Sequence, residues 1–147
     1  MEFEQLRLDN QLCFPVYAVS RLITREYQPY LDKLGVTYTQ YLVLMVLWET
    51  DSVSINDISQ KLILNTNTIT PLLKRMEAQG IIKRQRSKSD ERKVMVILTP
   101  KGKQMQSEAA RIPEELAAKL ISGTLKIEEL IELKDKLNSL IAFLSKK

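Results

Sequence analysis

The stretch from Ser54 to Leu98 leaves little choice of fold, because two short helical periods and two short strands follow one another there with few residues between them. Ser54-Ile55-Asn56-Asp57 has the form of a helix start, and Ile55, Ile58 and Leu62 make one apolar face that ends near Ile63-Leu64. Asn65-Thr66-Asn67-Thr68 offers capping oxygens before a second face of Ile69, Leu72, Leu73 and Met76, and Gly80 stands where that helix would turn. Residues 81–86 and 93–98 then read as two strands around the polar loop from Ser87 to Arg92. Two helices joined by a tight turn and followed by a hairpin predict a mainly α fold with a small β-hairpin wing, a winged helix-turn-helix domain.

Helices flank this unit on both sides. A first helix is expected from a cap at Asp9 or Asn10 to about Leu34, with Leu12, Val16, Val19 and Ile23 at helical spacing and Gly35 closing it. Proline lacks a backbone donor and crowds the carbonyl four residues back, so Pro29 is expected to kink or divide this helix, whereas Pro15 falls near its first turn. Thr37-Tyr38-Thr39-Gln40 has the capping-box form ahead of the apolar run Tyr41 to Trp48, which should be largely buried. Thr99-Pro100 starts another helix with proline where its missing N–H is harmless, and Gly102 weakens that first turn slightly. The helical pattern continues through 103–122 with a break near Pro113. It restarts after Gly123-Thr124 with Ile127, Leu130, Ile131, Leu137, Leu140, Ile141 and Leu144 on one stripe.

Charge is unevenly distributed. The chain carries +4 in all, yet residues 74–93 hold eight bases and three acids, +5, which leaves −1 for the rest. A positive field confined to one short stretch is that of a phosphate-binding surface. A helix entering the major groove needs short polar side chains near its N-terminal end, since these reach base edges while the opposite face packs on the domain. Thr66, Asn67, Thr68 and Thr70 suit that role, with Lys74 and Arg75 beyond, and Asn65 reads as the cap. Arg86 and Lys88 add charge on the wing. Arg92 at its tip is the candidate for a minor groove, where narrow A·T-rich stretches have enhanced negative potential, with Asp90 orienting its guanidinium.

The terminal helices carry more apolar surface than a winged domain can cover alone, which points to a two-fold homodimer on double-stranded DNA. One domain over 1–147 is expected, with about 1–35 and 100–147 as dimerisation helices and about 37–98 as the DNA-binding part. One cysteine, Cys13, and no histidine exclude an internal disulfide, zinc sites built on Cys or His clusters, and Ser-His or Cys-His catalytic pairs. No cofactor and no enzymatic activity are expected. The first residues, MEFEQLRLDNQL, contain acids and no apolar run, so they read as neither signal peptide nor anchor. A cytoplasmic protein without membrane contact is expected.

The order of elements, together with Asp90-Glu91-Arg92 and Leu98-Thr99-Pro100-Lys101-Gly102, resembles the MarR family of transcriptional regulators over nearly the whole chain. Within that family, Asp9-Asn10-Gln11-Leu12-Cys13-Phe14, Leu31-Asp32-Lys33-Leu34, Thr37-Tyr38, Gln40-Tyr41-Leu42, Leu47-Trp48-Glu49 and Thr70-Pro71-Leu72-Leu73-Lys74-Arg75-Met76-Glu77 resemble the one-cysteine organic hydroperoxide repressors. The resemblance implies that Cys13 is a peroxide-sensing thiol, that Tyr27 and Tyr38 of the other subunit hydrogen-bond to it, and that its oxidation releases a pseudo-palindromic operator. Organic hydroperoxide and a low-molecular-weight thiol are the implied redox partners.

Physical chemistry agrees with that implication. In a helix capped at Asn10, Cys13 would lie in the first turn, where free N–H groups and the positive dipole end favour thiolate. A thiolate attacks a hydroperoxide to give sulfenic acid, which a small thiol or a backbone nitrogen captures. Asn65 and Asn67 depart from the acid and glycine that the family pattern leads one to expect, which bears on operator preference. Two other readings share the fold: a MarR-type repressor released by a small phenolic compound and indifferent to Cys13→Ser, and a redox-responsive regulator with a broad target set. A one-cysteine peroxidase would need a thioredoxin-like βαβ order and a Pro-x-x-x-Thr-x-x-Cys motif, neither of which this sequence has.

Overall fold

The computed structural model describes residues 2–146, which form two compact units, one up to Ala110 and one from Arg111 onward. In the first unit, two short 3-10 turns, Glu4–Leu6 and Leu8–Asn10, precede α1 (Cys13–Leu34). There follow α2 (Tyr38–Glu49), β1 (Val53–Ser54), α3 (Ile55–Leu62), α4 (Thr66–Ala78), β2 (Ile82–Arg86), β3 (Val94–Leu98) and α5 (Pro100–Ala109). The second unit holds α6 (Arg111–Gly123) and α7 (Ile127–Leu144). Among the described residues no helix is long and apolar enough to cross a membrane.

The start of α1 corrects the sequence expectation. Neither Asp9 nor Asn10 caps it: both lie in a 3-10 turn, the Asn10 amide donates to the Glu4 carbonyl (2.7 Å), and Leu12 precedes the helix without a side-chain cap. Cys13 is therefore the first helical residue, and Pro15 sits in the first turn, where no N–H has an intrahelical partner to lose. Pro29 does not divide α1, which runs unbroken to Leu34 and closes on Gly35 in the left-handed conformation (φ 75). The capping box at α2 forms as read, with the Gln40 N–H donating to Thr37 Oγ1 (3.3 Å) and the Thr37 N–H to Gln40 Oε1 (3.0 Å).

The wing is a three-stranded antiparallel sheet in the order β1-β3-β2 rather than a bare hairpin. The added strand, two residues long, pairs Val53 with Val96 and Ser54 with Met95, while β2 and β3 pair from Ile82–Leu98 to Arg86–Val94. Asp51 fixes this corner by accepting from the Leu98 N–H (3.0 Å). The core lies beneath the sheet and between helices: Tyr41, Val43, Leu44 and Leu47 of α2, Ile58 of α3, Ile69, Leu72, Leu73 and Met76 of α4, and Val96 of β3 are all buried. The helical stretch after Pro100 breaks at Ala110, so that Pro113 falls in the first turn of α6.

The turn between α3 and α4 contains an uncommon backbone. Ile63 is left-handed (φ 56, ψ 45), held there by N–H donation from Ile63 to the Gln60 carbonyl (3.2 Å) and from Leu64 to the Ser59 carbonyl (3.0 Å). A β-branched residue in that region is strained by about 1–3 kcal/mol.

Gly102, expected only to weaken a helix, is required by a close approach. Thr99 Oγ1 accepts from the Gly102 N–H (3.2 Å) and donates to the Gly80 carbonyl (2.6 Å), and Trp48 Nε1 donates to the Gly102 carbonyl (2.9 Å). These bonds press the first turn of α5 onto the strand entrance so tightly that a Cβ at Gly102 would overlap the Ile81 carbonyl oxygen. Gly102→Ala should therefore destabilise the fold by about 2–3 kcal/mol and lower Tm by several degrees, despite alanine's better helix propensity. A thermal midpoint at or above that of the wild type would show that the backbone yields freely here.

Candidate nucleic-acid interface and redox site

The outer surface of α4 follows from its buried one. Ile69, Leu72, Leu73 and Met76 occupy one face, so at 100° per residue the opposite ridge is Asn67, Pro71 and Lys74, with Thr66 and Thr70 on one flank and Thr68 and Arg75 on the other. Thr66, Asn67, Thr68, Lys74 and Arg75 are exposed and Thr70 is half-buried. Asn65 is the cap, its Oδ1 accepting from the Asn67 N–H (2.8 Å). The predicted base-reading residues thus share one exposed end of one helix.

The wing tip is built from side-chain bonds to its own backbone. Ser87 Oγ accepts from the Asp90 N–H (3.3 Å), and the Arg86 guanidinium donates to the Glu91 carbonyl (2.8 Å). Asp90 Oδ1 accepts from both the N–H (3.1 Å) and Nε (3.2 Å) of Arg92. Those donors, the Arg92 side chain first, hold the Asp90 carboxyl below its ordinary pKa, so it stays anionic as a partner for the Arg92 side chain, which is 91% exposed. Lys88 is exposed on the same loop.

Arg84, one of the eight bases, is withdrawn from this surface. Glu77 at the end of α4 accepts from its backbone N–H (2.9 Å) and from Nε (3.2 Å) and Nη2 (3.1 Å) of its guanidinium, and these bonds lower the Glu77 pKa. That clamp joins α4 to the wing. Its sequence trace, an acid and a base seven residues apart across a turn, carries no periodic signal.

At the other end of the unit, Tyr27 of α1 and Tyr38 of α2 come together, ring centroids 5.1 Å apart. Tyr41 lies 5.8 Å from Tyr27 and 6.2 Å from Tyr38, and Trp48 extends the cluster at 6.3 Å from Tyr41. Burial, reinforced by the phenols of Tyr38 and Tyr41, pushes Tyr27 up to about 12; burial alone raises Tyr38, and burial with the Tyr38 phenol raises Tyr41. All three are therefore hydroxyl donors throughout the physiological range. Cys13, free and exposed, does not join them within the chain: fourteen residues of α1 separate it from Tyr27, about 21 Å of helix. The same fourteen residues bring the two side chains within about 40° of one helix face. On that helix Phe14, Val16, Val19 and Leu22 are exposed, as is Leu12 just before it, and on α7 so are Ile127, Ile131, Leu140, Ile141 and Leu144.

The SarA/Rot family of transcriptional regulators matches residues 25–109. The organic hydroperoxide resistance transcriptional regulator of Bacillus subtilis is 44% identical over 99% of this chain and 97% of its own length. The chain belongs to the MarR-type family of winged-helix transcriptional regulators, in the organic hydroperoxide resistance branch. Among solved structures, this regulator is similar to AbfR of Staphylococcus epidermidis. Reduced AbfR bound to DNA matches with a TM-score of 0.76 and 40% identity, covering 98% of this chain and 99% of AbfR. Overoxidized AbfR, also bound to DNA, matches at 0.72 and 41%, covering 97% and 99%.

Proposed function

We propose that this protein is a peroxide-sensing repressor that binds a pseudo-palindromic operator as a homodimer and releases it when Cys13 is oxidised by an organic hydroperoxide. The observation that carries the reading is the placement of Cys13 and Tyr27 on nearly one face of α1. Two copies of α1 packed antiparallel about a two-fold axis set Cys13 of each subunit against Tyr27 and Tyr38 of the other. The exposed apolar residues of α1 supply surface for that dimer in the first unit, and those of α7 supply it in the second. The DNA side consists of Thr66, Asn67, Thr68, Thr70, Lys74 and Arg75 in the major groove and Arg86, Lys88, Asp90 and Arg92 on the wing.

The chemistry balances with two co-substrates. The Cys13 thiolate attacks one oxygen of the hydroperoxide, the O–O bond breaks, and the alkoxide leaves and takes up a proton, giving an alcohol and Cys13 sulfenic acid. A low-molecular-weight thiol then attacks the sulfenic sulfur, forming a mixed disulfide and releasing water. With one cysteine in the chain, the second sulfur comes from outside it. Overoxidized AbfR is bound to DNA, which favours the bulk of such an adduct, rather than added oxygen alone, as what tilts the subunits and spoils half-site spacing in this chain.

A mixed dimer tests the arrangement. Tyr27→Phe with Tyr38→Phe should slow sulfenic acid formation by tert-butyl hydroperoxide about tenfold, since the donors to the reacting sulfur are lost while the rings still fill their space. Pairing that subunit with a Cys13→Ser subunit leaves one complete trans site and no complete cis site, so oxidation should return to the wild-type rate per remaining thiol. A mixed dimer as slow as the double-Phe homodimer would place sensor and tyrosines elsewhere.

A second reading has one observation in its favour. A groove of about 810 Å³ between the end of α1, the start of α2 and the last turns of α4, bordered by Asp32, Thr39, Arg75 and Gln79, has room for a small phenolic ligand. Release by such a compound would be unaffected by Cys13→Ser.

A further inference from the structure

We propose that Ile63, in the turn before the recognition helix, is a DNA contact that covers an apolar part of the operator. The inference rests on the reading of α4 as the operator-reading helix. Three observations meet at this residue. Its backbone is left-handed although its side chain is β-branched, a conformation in which glycine or asparagine would be relaxed. The residue is nevertheless 60% exposed, so in the free protein the strain is not repaid by burial in the core. It stands two residues before the Asn65 cap, beside the exposed Thr66, Asn67 and Thr68.

The turn cannot relax by rotating the side chain inward. Its two backbone bonds are joined by Ser59 Oγ, which donates to the Leu64 carbonyl (2.6 Å) from a buried position, and Leu64 is the half-buried neighbour of the exposed Ile63. Ile63 is thereby displayed on the side away from the core, at the end of α4 that approaches base edges in a helix-turn-helix complex. Duplex DNA offers two apolar surfaces within reach of such a residue, the C5-methyl of thymine and the face of deoxyribose. Covering either removes apolar area from water on both partners, and the two-fold repeats the contact in each half-site.

Three proteins and one duplex, that recovered by the wild type from a randomised pool, test this. Ile63→Asn keeps a residue at ease in the left-handed region but removes the apolar group, and Ile63→Leu keeps the apolar group without branching at Cβ. Ile63→Asn should unfold a few degrees above the wild type yet bind the duplex about tenfold more weakly. Ile63→Leu should bind within about threefold of the wild type. Uracil in place of each thymine in turn identifies the surface. A loss for the wild type but not for Ile63→Asn at one position names the methyl, and insensitivity at every position names deoxyribose. A stable Ile63→Asn protein with wild-type affinity overturns the inference, whereas a wild type that selects no duplex at all overturns the reading of α4 beneath it.

Discussion

Cys13→Ser should bind operator as tightly as the wild type and stay bound when hydroperoxide and a small thiol are added together. The wild type, under the same treatment, should lose affinity by about a hundredfold, the upper range of coupling energies between sites. Serine fits where Cys13 stands, because the position is exposed at the head of α1 and no core packing depends on the sulfur. Its hydroxyl does not enter the oxidation series open to a thiol, so neither sulfenic acid nor mixed disulfide forms. Titrating a labelled duplex with each protein, untreated and treated, measures both halves of the claim. Equal release of the two proteins would remove Cys13 from the switch and return weight to a ligand in the groove beside Arg75.

Operator affinity should fall steeply with salt. Arg84 is held by Glu77, which leaves Lys74, Arg75, Lys83, Arg86, Lys88, Arg92 and Lys93 as the cations of the recognition region in each subunit. If about three to five of them meet phosphates per subunit, the dimer displaces counterions from about six to ten, and log affinity against log salt has a slope of about −5 to −9. Affinity then drops about a thousandfold to a hundred-thousandfold between about 50 and 200 mM salt. A slope near zero would mean that the basic stretch is a solvated surface with no nucleic-acid partner. Arg84→Ala should hardly change the slope, because its charge is already engaged.

The helix-turn-helix and its wing were legible because their signals are local: apolar periods of one or two turns, caps at Ser54 and Asn65, and short apolar runs on either side of a polar loop. What escaped depends on distant partners. The two-residue β1 has no periodicity to display and exists through its pairing with Val96 and Met95. Gly102 read as a poor helix residue because propensity does not register a carbonyl arriving from Ile81, twenty-one residues earlier. The strain at Ile63 was invisible for a related reason, since its conformation is set by bonds from Ser59 and Leu64 rather than by its own preference. Tyr27 and Tyr38 were named from resemblance alone, and the folded chain brings their rings together while leaving Cys13 four helical turns away.

The buried Gln40 side chain, 5% exposed, closes the capping box of α2, and its Nε2 also donates to Gln79 Oε1 (3.4 Å), while Gln79 Nε2 donates to the Gly35 carbonyl (2.9 Å). Three helix ends, those of α1, α2 and α4, therefore share one pair of amides. Fraying usually begins at a helix terminus and proceeds one turn at a time, but here no terminus of the three opens without breaking bonds that hold another. Melting of α4 at its far end therefore also breaks the Gln79 bonds to Gln40 and Gly35, which couples that end to the termini of α1 and α2.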